Sequence, residues 1–263
     1  MNLGIQGKKA LVWGASRGLG KAAALQLAQE GVEVTLLSRT AQALHEAQES
    51  ILLQTGVRPN AVVADITTEA GRQAAINACP APDILINNAS GPTSGDFREW
   101  QRQDWLDALD SMMLGPITIM CLTVDGMAER GFGRIINITS RSVKIPQLEL
   151  GLSNSARSGL TGFVAGLART QVHRNVTINN ILPGIFDTEG QWHHIQSLSE
   201  QTGRDFSAIH KERAAANPAQ RYGQPEEFGA TCPFLCSQQA GFITGQNLLI
   251  DGGSYPALFK ESS

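Results

Sequence analysis

Short apolar runs alternate with longer segments of helical spacing along the whole chain. Seven runs are rich in aliphatic and β-branched residues: KKALVWG, EVTLLS, NAVVAD, DILINN, GRIINITS, VTINNIL and QNLLID. Helical patterns separate them, and the first two predict helices over 18–30 and 41–54. Runs such as ILIN and RIINI lack clean polar–apolar alternation, which is typical of strands buried on both faces. The pattern therefore predicts right-handed βαβ units in an α/β protein with a doubly wound parallel sheet.

The chain has 263 residues and contains no linker, repeat or low-complexity tract, so residues 1–263 are predicted to form a single domain. One segment breaks the alternation, because residues 186–216 are polar and have Trp192, His193 and His194 near their start. The segment follows a predicted strand end and Pro183-Gly184, at the sheet edge where open α/β folds bind ligands. We interpret it as a substrate lid, and the alternative is a static surface excursion.

Composition and charge exclude several kinds of partner. The hydrophobic fraction is 42%, the charged fraction is 17% and the net charge is −3, with no basic run. These values are typical of a globular protein, and they predict no nucleic-acid partner and no anionic membrane surface. We see no stretch of about 18 apolar residues, so we expect no membrane partner and a cytoplasmic location.

Two of the four cysteines, Cys232 and Cys236, are four residues apart, which a helix would place on one face. A metal pair is conceivable, but no cluster of histidines or carboxylates completes it. We therefore expect no metal site, and we interpret the pair as buried structural thiols in a reducing compartment.

The first predicted strand leads into a glycine-rich turn and then into a helix. Glycines permit a tight turn and a close approach to phosphate, and a helix N-terminus offers free N–H groups to a pyrophosphate. Because the strand and the helix flank the glycines as required, we predict a dinucleotide site rather than a plain turn. The candidate cofactor residues of the turn are Gly14, Ser16, Arg17, Gly18, Leu19 and Gly20.

The end of the second strand indicates which dinucleotide is bound. A site for NAD usually has an acidic residue here, whereas this chain has Arg39. A guanidinium binds a 2′-phosphate through several fixed donors, and Arg17 adds a second positive charge. Either arginine alone could be a solvated surface charge, but together they predict NADP(H).

Further motifs extend this picture over nearly the whole chain. They are Asp65 after the third strand, Asn87-Asn88-Ala89-Ser90-Gly91 after the fourth, GRIINITS, Pro183-Gly184-x-x-x-Thr188, RYGQPEE and GQNLLIDGG. With these motifs the chain resembles the short-chain dehydrogenase/reductase superfamily, in particular the 3-oxoacyl-(acyl-carrier-protein) reductases. The resemblance implies a sheet of about seven strands, a small-molecule substrate and a homo-oligomer, either a tetramer or a dimer.

The resemblance also implies roles for individual cofactor-binding residues. Asp65 and Ile66 would hold the adenine, Thr188 would bind the nicotinamide carboxamide, and other residues would line the cofactor. One departure is Trp13, where the family usually has threonine before the first glycine. The lining residues are Asn88, Ala89, Ser90, Pro183 and Gly184.

The catalytic pattern of the family is largely replaced in this chain. Family members use a serine, a tyrosine that acts as acid and base, a lysine that lowers the pKa of the tyrosine, and an upstream asparagine. Ser140 matches the serine, but Ser153 stands at the tyrosine position, Arg157 at the lysine position and Met112 at the asparagine position. A serine hydroxyl is a far weaker acid than a phenol. Arg157 cannot relay protons, although it could donate to a ribose hydroxyl and supply a positive field.

Several residues are candidate substitutes for the missing acid. Glu149 lies in the loop that lines the substrate pocket in the family, and a partly buried glutamate can act as an acid. His193 and His194 on the lid have suitable intrinsic pKa values, and Tyr255 could reach the site of a neighbouring subunit. The alternative for the glutamate and the histidines is an ordinary surface or core position.

Two more basic residues of that loop, Arg141 and Lys144, would contact an anionic substrate group or solvent rather than transfer protons.

Three functions remain open. The first is an NADP(H)-dependent oxidoreductase for a carbonyl or hydroxyl substrate, with Ser140, Ser153 and Arg157 in a rebuilt catalytic site. The second is a non-redox enzyme on this fold, such as an isomerase, lyase, dehalogenase or cyclase. The third is a catalytically silent NADP(H)-binding protein.

Overall fold

Seven parallel strands form a single sheet in the order β3-β2-β1-β4-β5-β6-β7. The structure is a computed structural model and describes residues 2–92 and 94–256. The strands are β1 (Lys9–Trp13), β2 (Glu33–Ser38), β3 (Asn60–Val63), β4 (Ile84–Asn88), β5 (Gly133–Ile138), β6 (Val176–Pro183) and β7 (Asn247–Ile250). All neighbouring pairs are parallel, which confirms the doubly wound α/β fold and the strand count.

The helices occupy the segments between the strands, as the sequence pattern predicts. They are α1 (Gly18–Gln29), α2 (Ala41–Thr55), α3 (Glu69–Ala78), α4 (Arg102–Leu109), α5 (Gly115–Glu129), α6 (Gly151–Gln171), α7 (Glu189–Thr202), α8 (Phe206–Ala215), α9 (Pro225–Gly229) and α10 (Thr231–Cys236). A π-helical turn, Asp110–Leu114, joins α4 to α5, and short 3₁₀ turns lie at Arg141–Val143, Leu148–Leu150 and Val172–Arg174.

The sheet separates two hydrophobic cores, because alternate residues of a strand point to opposite faces. Val12 and Ile136 pack into the core that contains apolar residues of α1 and α2. Leu11 and Ile135 pack into the core that contains apolar residues of α5 and α6. The central strands are therefore buried on both faces, and the exposed rim left for a ligand is the edge formed by their carboxyl ends.

A row of asparagine side chains ties four strands together near that edge. Asn87 Nδ2 donates to Asn137 Oδ1 (2.9 Å), Asn137 Nδ2 to Asn180 Oδ1 (3.1 Å) and Asn180 Nδ2 to Asn247 Oδ1 (2.8 Å). At the end of the row, Asn87 Oδ1 is buried without a hydrogen-bond partner in the described residues, and Trp13 Nε1 on the neighbouring strand β1 is likewise buried without one. Trp13 is 2% exposed, so the indole is packed inside the fold rather than projecting into the glycine turn.

The polar segment 186–216 contains the two helices α7 and α8. Ile195 and Ile209 of the segment are buried together with Ile185 and Tyr222, which lie just outside it, in a small core that the high polarity of the sequence conceals. Thr188 and Asp205 cap the two helices, accepting hydrogen bonds from the backbone of the first turn. The segment thus has regular structure, and its role as a substrate lid stays a prediction.

Cys232 and Cys236 lie on α10 with no exposed surface, which confirms that they are buried thiols. Burial raises the pKa of Cys232 to about 12, so its thiol stays protonated at neutral pH. Within residues 2–92 and 94–256, no group of three histidines, cysteines or carboxylates is arranged to hold a metal ion.

One helical run bears on the expectation that the protein has no membrane partner. The run Arg102–Glu129 is long enough to span a membrane, and its most apolar 18-residue window has a mean hydropathy of 1.4, so it passes the test by length and composition alone. Half of its most apolar window is buried inside the fold, as in a core helix. The absence of a membrane partner therefore stays a prediction.

Candidate active site and cofactor cradle

The turn after β1 has a backbone shape that requires glycine. Gly14 and Gly18 have φ values of +62° and +54°, in the left-handed region that other residues rarely adopt. A Cβ atom on Gly20 would lie 2.2 Å from the carbonyl oxygen of Gly14, so no side chain fits there. Asn88 Nδ2 donates to that same oxygen at 3.2 Å, which fixes the turn against the end of β4.

The N-terminus of α1 opens toward this turn without a capping side chain. Arg17 is the N-cap residue, and it makes no side-chain hydrogen bond to the first turn of the helix. The free N–H groups of a helix start attract an anion, and the compact glycine backbone lets a phosphate approach them. The glycine turn 14–20 and the start of α1, here called the cradle, therefore fit the pyrophosphate of a dinucleotide. Ser16 and Leu19 lie in the same turn.

The two arginines predicted to select the 2′-phosphate differ in their surroundings. Arg39 is exposed just after β2, and its guanidinium makes no ion pair in the described part of the chain. Arg17 Nη1 forms an ion pair with Glu189 Oε2 of α7 at 2.9 Å, and both side chains are about half exposed. The predicted phosphate contact of Arg17 stays a prediction, and Glu189 would compete for it.

The predicted adenine residues lie at the end of β3. Asp65 Oδ1 accepts hydrogen bonds from the backbone N–H and the hydroxyl of Thr67, at 2.9 and 2.8 Å, so the carboxylate is held in one orientation. Ile66 is 8% exposed and packs into the core, with only a margin of its side chain open to a ligand. Their contact with adenine stays a prediction.

The remaining cofactor candidates lie around the carboxyl ends of the central strands. Thr188 Oγ1 accepts a hydrogen bond from Gln191 N at 3.3 Å as the cap of α7, so its predicted bond to a carboxamide would share this oxygen. Its methyl carbon is 3.7 Å from the Cβ position of Gly18, so the start of the lid segment borders the glycine turn. The predicted lining residues Ala89, Ser90, Pro183 and Gly184 follow or end β4 and β6.

Arg157 and Ser153 form the centre of the candidate catalytic site. Arg157 Nε donates to Ser153 Oγ at 3.0 Å, one turn earlier on α6. Nη1 donates to the carbonyls of Ile138 and Thr139, at 2.8 and 2.9 Å, and Nη2 donates to the carbonyl of Ala89 at 3.0 Å. The guanidinium therefore joins the ends of β4 and β5 to α6, and four of its five N–H groups have protein acceptors.

The charge state of Arg157 follows from its burial. The residue is 8% exposed, and removal from water lowers the pKa of its guanidinium from 12.5 to about 10. The group still carries its proton at neutral pH. One N–H of Nη2 is left for a ligand, so the predicted donation to a ribose hydroxyl is restricted to that single group.

The two candidate serines lie near this charge. Ser153 is 7% exposed, and its oxygen is 3.8 Å from the Cβ position of Gly91, so the loop after β4 covers it closely. Ser140 follows β5, and its Oγ accepts a hydrogen bond from Ser142 N at 3.1 Å. Each hydroxyl oxygen thus accepts a hydrogen bond from the protein, which leaves its own proton available for another acceptor.

Met112 occupies the π-helical turn between α4 and α5. It is 1% exposed and packs with Ala108, Leu152 and Ala156. π-helical turns often occur at functional sites, and this one stands at the position of the family's asparagine although a thioether has replaced the amide. The side chain extends the apolar packing under α6 and offers no proton relay.

The candidate substitutes for the acid have different surroundings. Glu149 and His193 are exposed, whereas His194 is half-buried, with Nδ1 3.4 Å from Ser94 Oγ. Burial and the nearby charge of Arg213 lower the pKa of His194, although Glu149 opposes the shift. His194 is therefore neutral at neutral pH and is a poor acid there.

The surroundings of the two tyrosines bear on whether either replaces the missing phenol. Tyr222 is buried and donates to the carbonyl of His210 at 3.3 Å. The ring centre of Tyr255 is 5.2 Å from Nζ of Lys144 in its own chain, at the rim of the loop after β5. Whether Tyr255 reaches a neighbouring subunit stays a prediction.

Sequence reasoning missed one residue of this region, Arg213 on α8, and the full extent of the Arg157 network. Arg213 stands in the charged stretch HKERAAA, which has no motif and reads as a solvated helix face. Nothing in that stretch indicates that α8 packs against α7.

A sequence profile of the family described as enoyl-(acyl carrier protein) reductase matches residues 14–255. The chain therefore belongs to the short-chain dehydrogenase/reductase family of oxidoreductases, as the motifs predict. It is 28% identical over 259 residues to the 3-oxoacyl-(acyl-carrier-protein) reductase FabG of Aquifex aeolicus, covering 97% of this chain and 100% of the relative. It is 31% identical over 253 residues to gluconate 5-dehydrogenase of Gluconobacter oxydans, covering 95% of each.

Solved structures agree with this assignment. The crystal structure of L-sorbose reductase from Gluconobacter frateurii, complexed with NADPH and L-sorbose, superposes with a TM-score of 0.92 at 30% sequence identity. The match covers 98% of this chain and 100% of that one.

Proposed function

We propose that this protein is an NADP(H)-dependent oxidoreductase that acts on a small carbonyl or hydroxyl substrate through Ser140 and Ser153. The hydrogen bond from Arg157 Nε to Ser153 Oγ carries the proposal, because it puts a buried positive charge behind the hydroxyl at the tyrosine position. The NADPH-bound sorbose reductase and the gluconate dehydrogenase support the cofactor and the substrate class.

The residues of the cradle fit NADP(H). Gly14, Gly18 and Gly20 leave room for the pyrophosphate, the uncapped start of α1 supplies N–H donors, and Arg39 is free to bind the 2′-phosphate. When bound, the cofactor supplies or accepts the hydride.

Ser153 and Ser140 hold the oxygen of the substrate. Ser153 Oγ accepts from the Arg157 guanidinium, so its own proton must be directed to another acceptor, and a substrate carbonyl oxygen in the pocket is a suitable one. Preorganised donors aimed at a developing oxyanion are typically worth about 10²–10³ in kcat. The positive charge of Arg157 acts through Ser153, which makes Arg157 a positioning residue.

The proton that completes alcohol formation has a different origin from that in the family. Arg157 keeps its proton because the pKa of about 10 lies well above neutral pH, and a serine hydroxyl is a weak acid. Water must therefore deliver the proton to the alkoxide oxygen while the two serines stabilise it. Loss of a general acid typically lowers the rate by about 10²–10⁴, so turnover of generic ketones is slow.

One observation favours a second candidate, a catalytically silent NADP(H)-binding protein. Four N–H groups of Arg157 donate hydrogen bonds to acceptors of the protein itself, which is the arrangement expected of a structural residue. In such a protein the cradle would bind the cofactor without a substrate reaction.

We also propose a homo-oligomer and a cytoplasmic location. Exposed apolar side chains near β7 and α10, namely Phe242 (99% exposed), Phe234 (41%) and Leu248 (39%), support self-association.

Binding of NADPH by fluorescence and NADPH oxidation with a panel of carbonyl compounds test the proposal together. Ser153→Ala should lower kcat by about 10²-fold or more with little change in NADPH affinity. The exposed Ser155 on the same helix gives the matched control Ser155→Ala, which should behave as wild type. Cofactor binding without turnover of any substrate would instead support the silent protein.

A further inference from the structure

The ion pair between Arg17 and Glu189 joins the cradle to the lid segment. Arg17 Nη1 lies 2.9 Å from Glu189 Oε2, across 172 positions of the chain. Arg17 is the N-cap residue of α1, and Glu189 is the first residue of α7. A second contact accompanies the pair, because the methyl carbon of Thr188 lies 3.7 Å from the Cβ position of Gly18. The start of α7 is therefore held against the glycine turn.

The first turn of α7 has its own caps and does not need Arg17 in order to form. Thr188 Oγ1 accepts a hydrogen bond from Gln191 N at 3.3 Å, and Trp192 N donates to the carbonyl of Thr188 at 3.0 Å. The carboxylate of Glu189 also interacts favourably with the positive end of the helix dipole, with or without a partner. The ion pair is thus a link between two elements, and its loss leaves both helices formed.

The ion pair is weak enough for an incoming anion to replace it. Its two side chains are 53% and 52% exposed, so water and salt screen both charges. A phosphate monoester carries about two negative charges and three acceptor oxygens, whereas a carboxylate carries one charge and two oxygens. The 2′-phosphate of NADP(H) is therefore a stronger partner for the guanidinium of Arg17 than Glu189 is.

We propose that Glu189 couples the choice of cofactor to the position of the lid segment. Without cofactor, Glu189 holds Arg17 and thereby the start of α7. The 2′-phosphate of NADP(H) would take Arg17 from Glu189 and free that end of α7 to close on a substrate. NAD(H) lacks this phosphate and would leave the ion pair intact. Glu189 acts through Arg17 and is a positioning residue, and the inference rests on the predicted contact of Arg17 with the 2′-phosphate.

The competition has a measurable effect on cofactor selectivity. Glu189→Gln keeps the size of the side chain and removes the charge that competes with the 2′-phosphate. We expect the ratio of NADPH affinity to NADH affinity to rise by about 2- to 5-fold, the range for an exposed ion pair. Fluorescence titrations with the two cofactors at low ionic strength give this ratio, and added salt should reduce the effect of the substitution.

Two further variants test whether Glu189 acts through Arg17. In an Arg17→Gln background, Glu189→Gln should leave the affinity ratio unchanged, because the group for which the two anions compete is gone. Glu200→Gln removes the same charge near the other end of α7 and is the matched control. Glu200 is exposed and accepts a hydrogen bond from Gln196 of the same helix at 2.8 Å, so this variant should keep the wild-type ratio.

Hydrogen exchange tests the link to the lid segment separately from affinity. Without cofactor, Glu189→Gln and Arg17→Gln should both speed amide exchange in the first two turns of α7. With NADPH bound, the wild type and Glu189→Gln should exchange at the same rate there, because the ion pair is already broken in the wild type. With NADH bound, the difference between the wild type and Glu189→Gln should persist.

The outcomes distinguish this inference from the proposed function. An unchanged affinity ratio in Glu189→Gln would overturn the inference, and so would an equal rise of the ratio in the Arg17→Gln background. An exchange difference that persists with NADPH bound would overturn the coupling to the lid segment. Each of these results leaves the NADP(H)-dependent function standing, since the same titrations measure NADPH binding by the wild type. Failure of the wild type to bind NADPH would overturn that function and the inference together.

Discussion

The buried Arg157 allows a sharp prediction about stability. Arg157→Met keeps much of the side-chain volume and removes the charge and all the N–H donors. Three backbone carbonyls, those of Ala89, Ile138 and Thr139, would lose a partner while staying out of water. Because a buried acceptor without a donor is unfavourable, we expect the variant to be clearly less stable than the wild type.

The size of the effect follows from two opposing contributions. Burial of the guanidinium lowers its pKa from 12.5 to about 10, which corresponds to roughly 3 kcal/mol against folding. This contribution is constant near neutral pH, and it is relieved only above pH 10, where the buried group would lose its proton. Four hydrogen bonds from a charged donor, at about 1.5–3 kcal/mol each, more than offset it. We expect Arg157→Met to lower the free energy of unfolding by about 3–5 kcal/mol, the range for a broken buried charge network.

Urea denaturation at fixed protein concentration measures the change, and a second buried arginine provides the control. Arg134 lies at the opposite end of β5 and also makes four hydrogen bonds, to Ser237 O, Gly133 O, Asn175 O and Asn175 Oδ1. Arg134→Met should destabilise the fold to a similar degree but leave kcat per folded molecule unchanged. Arg157→Met should lower both.

A loss of less than about 1 kcal/mol in Arg157→Met would refute the reasoning, because the carbonyls would then have found water or other donors. An equal loss of kcat in the two methionine variants would separately refute the link between Arg157 and Ser153.

Four further predictions concern cofactor, catalysis, pH and motion. Arg39→Asp should weaken NADPH binding by about 1.5–3 kcal/mol in a fluorescence titration, and equal affinities of the wild type for NADPH and NADH would contradict the 2′-phosphate assignment. Ser153→Tyr, Arg157→Lys and Met112→Asn combined should raise generic ketone reduction in an NADPH-oxidation assay, whereas single changes should do little because relay members act as a unit. The pKa of His194 lies below its usual 6.5, so the free energy of unfolding should fall as the pH drops below 6.5. His194→Gln should flatten that decline when urea denaturation is measured at several pH values, and an unchanged pH dependence in the variant would contradict the role of His194. Hydrogen exchange in α7 and α8 should be faster than in the sheet and should slow when cofactor and substrate bind, and slow exchange in the apo protein would argue for a static excursion.

The sheet was predictable because its strands are apolar runs bounded by polar or glycine residues. The run EVTLLS, for example, is the strand Glu33–Ser38. Its burial follows from the apolar and β-branched residues within the run itself. The glycine turn was predictable for the same reason, since φ values near +60° and the absence of a Cβ atom are requirements of single positions.

The interactions of Arg157 were not predictable from sequence. Its acceptors lie 4, 18, 19 and 68 positions away, and three of them are backbone carbonyls, which every residue possesses. Sequence reasoning identified the substitution and the loss of a proton relay, but the new role depends on where the ends of β4 and β5 meet.

The network of Arg157 also bears on how such a site can change during evolution. A guanidinium that holds two strand ends and a helix cannot be exchanged for lysine without leaving at least one of these acceptors unsatisfied. Restoring tyrosine at position 153 alone would place a bulky phenol where Arg157 Nε now donates a hydrogen bond to the small hydroxyl of Ser153. Each single step back toward the family's residues therefore passes through a less stable or sterically crowded protein. Arginine at position 157 is therefore hard to replace, because the backbone carbonyls that it hydrogen-bonds would lose their donors. A return to the family's catalytic residues requires several substitutions at once.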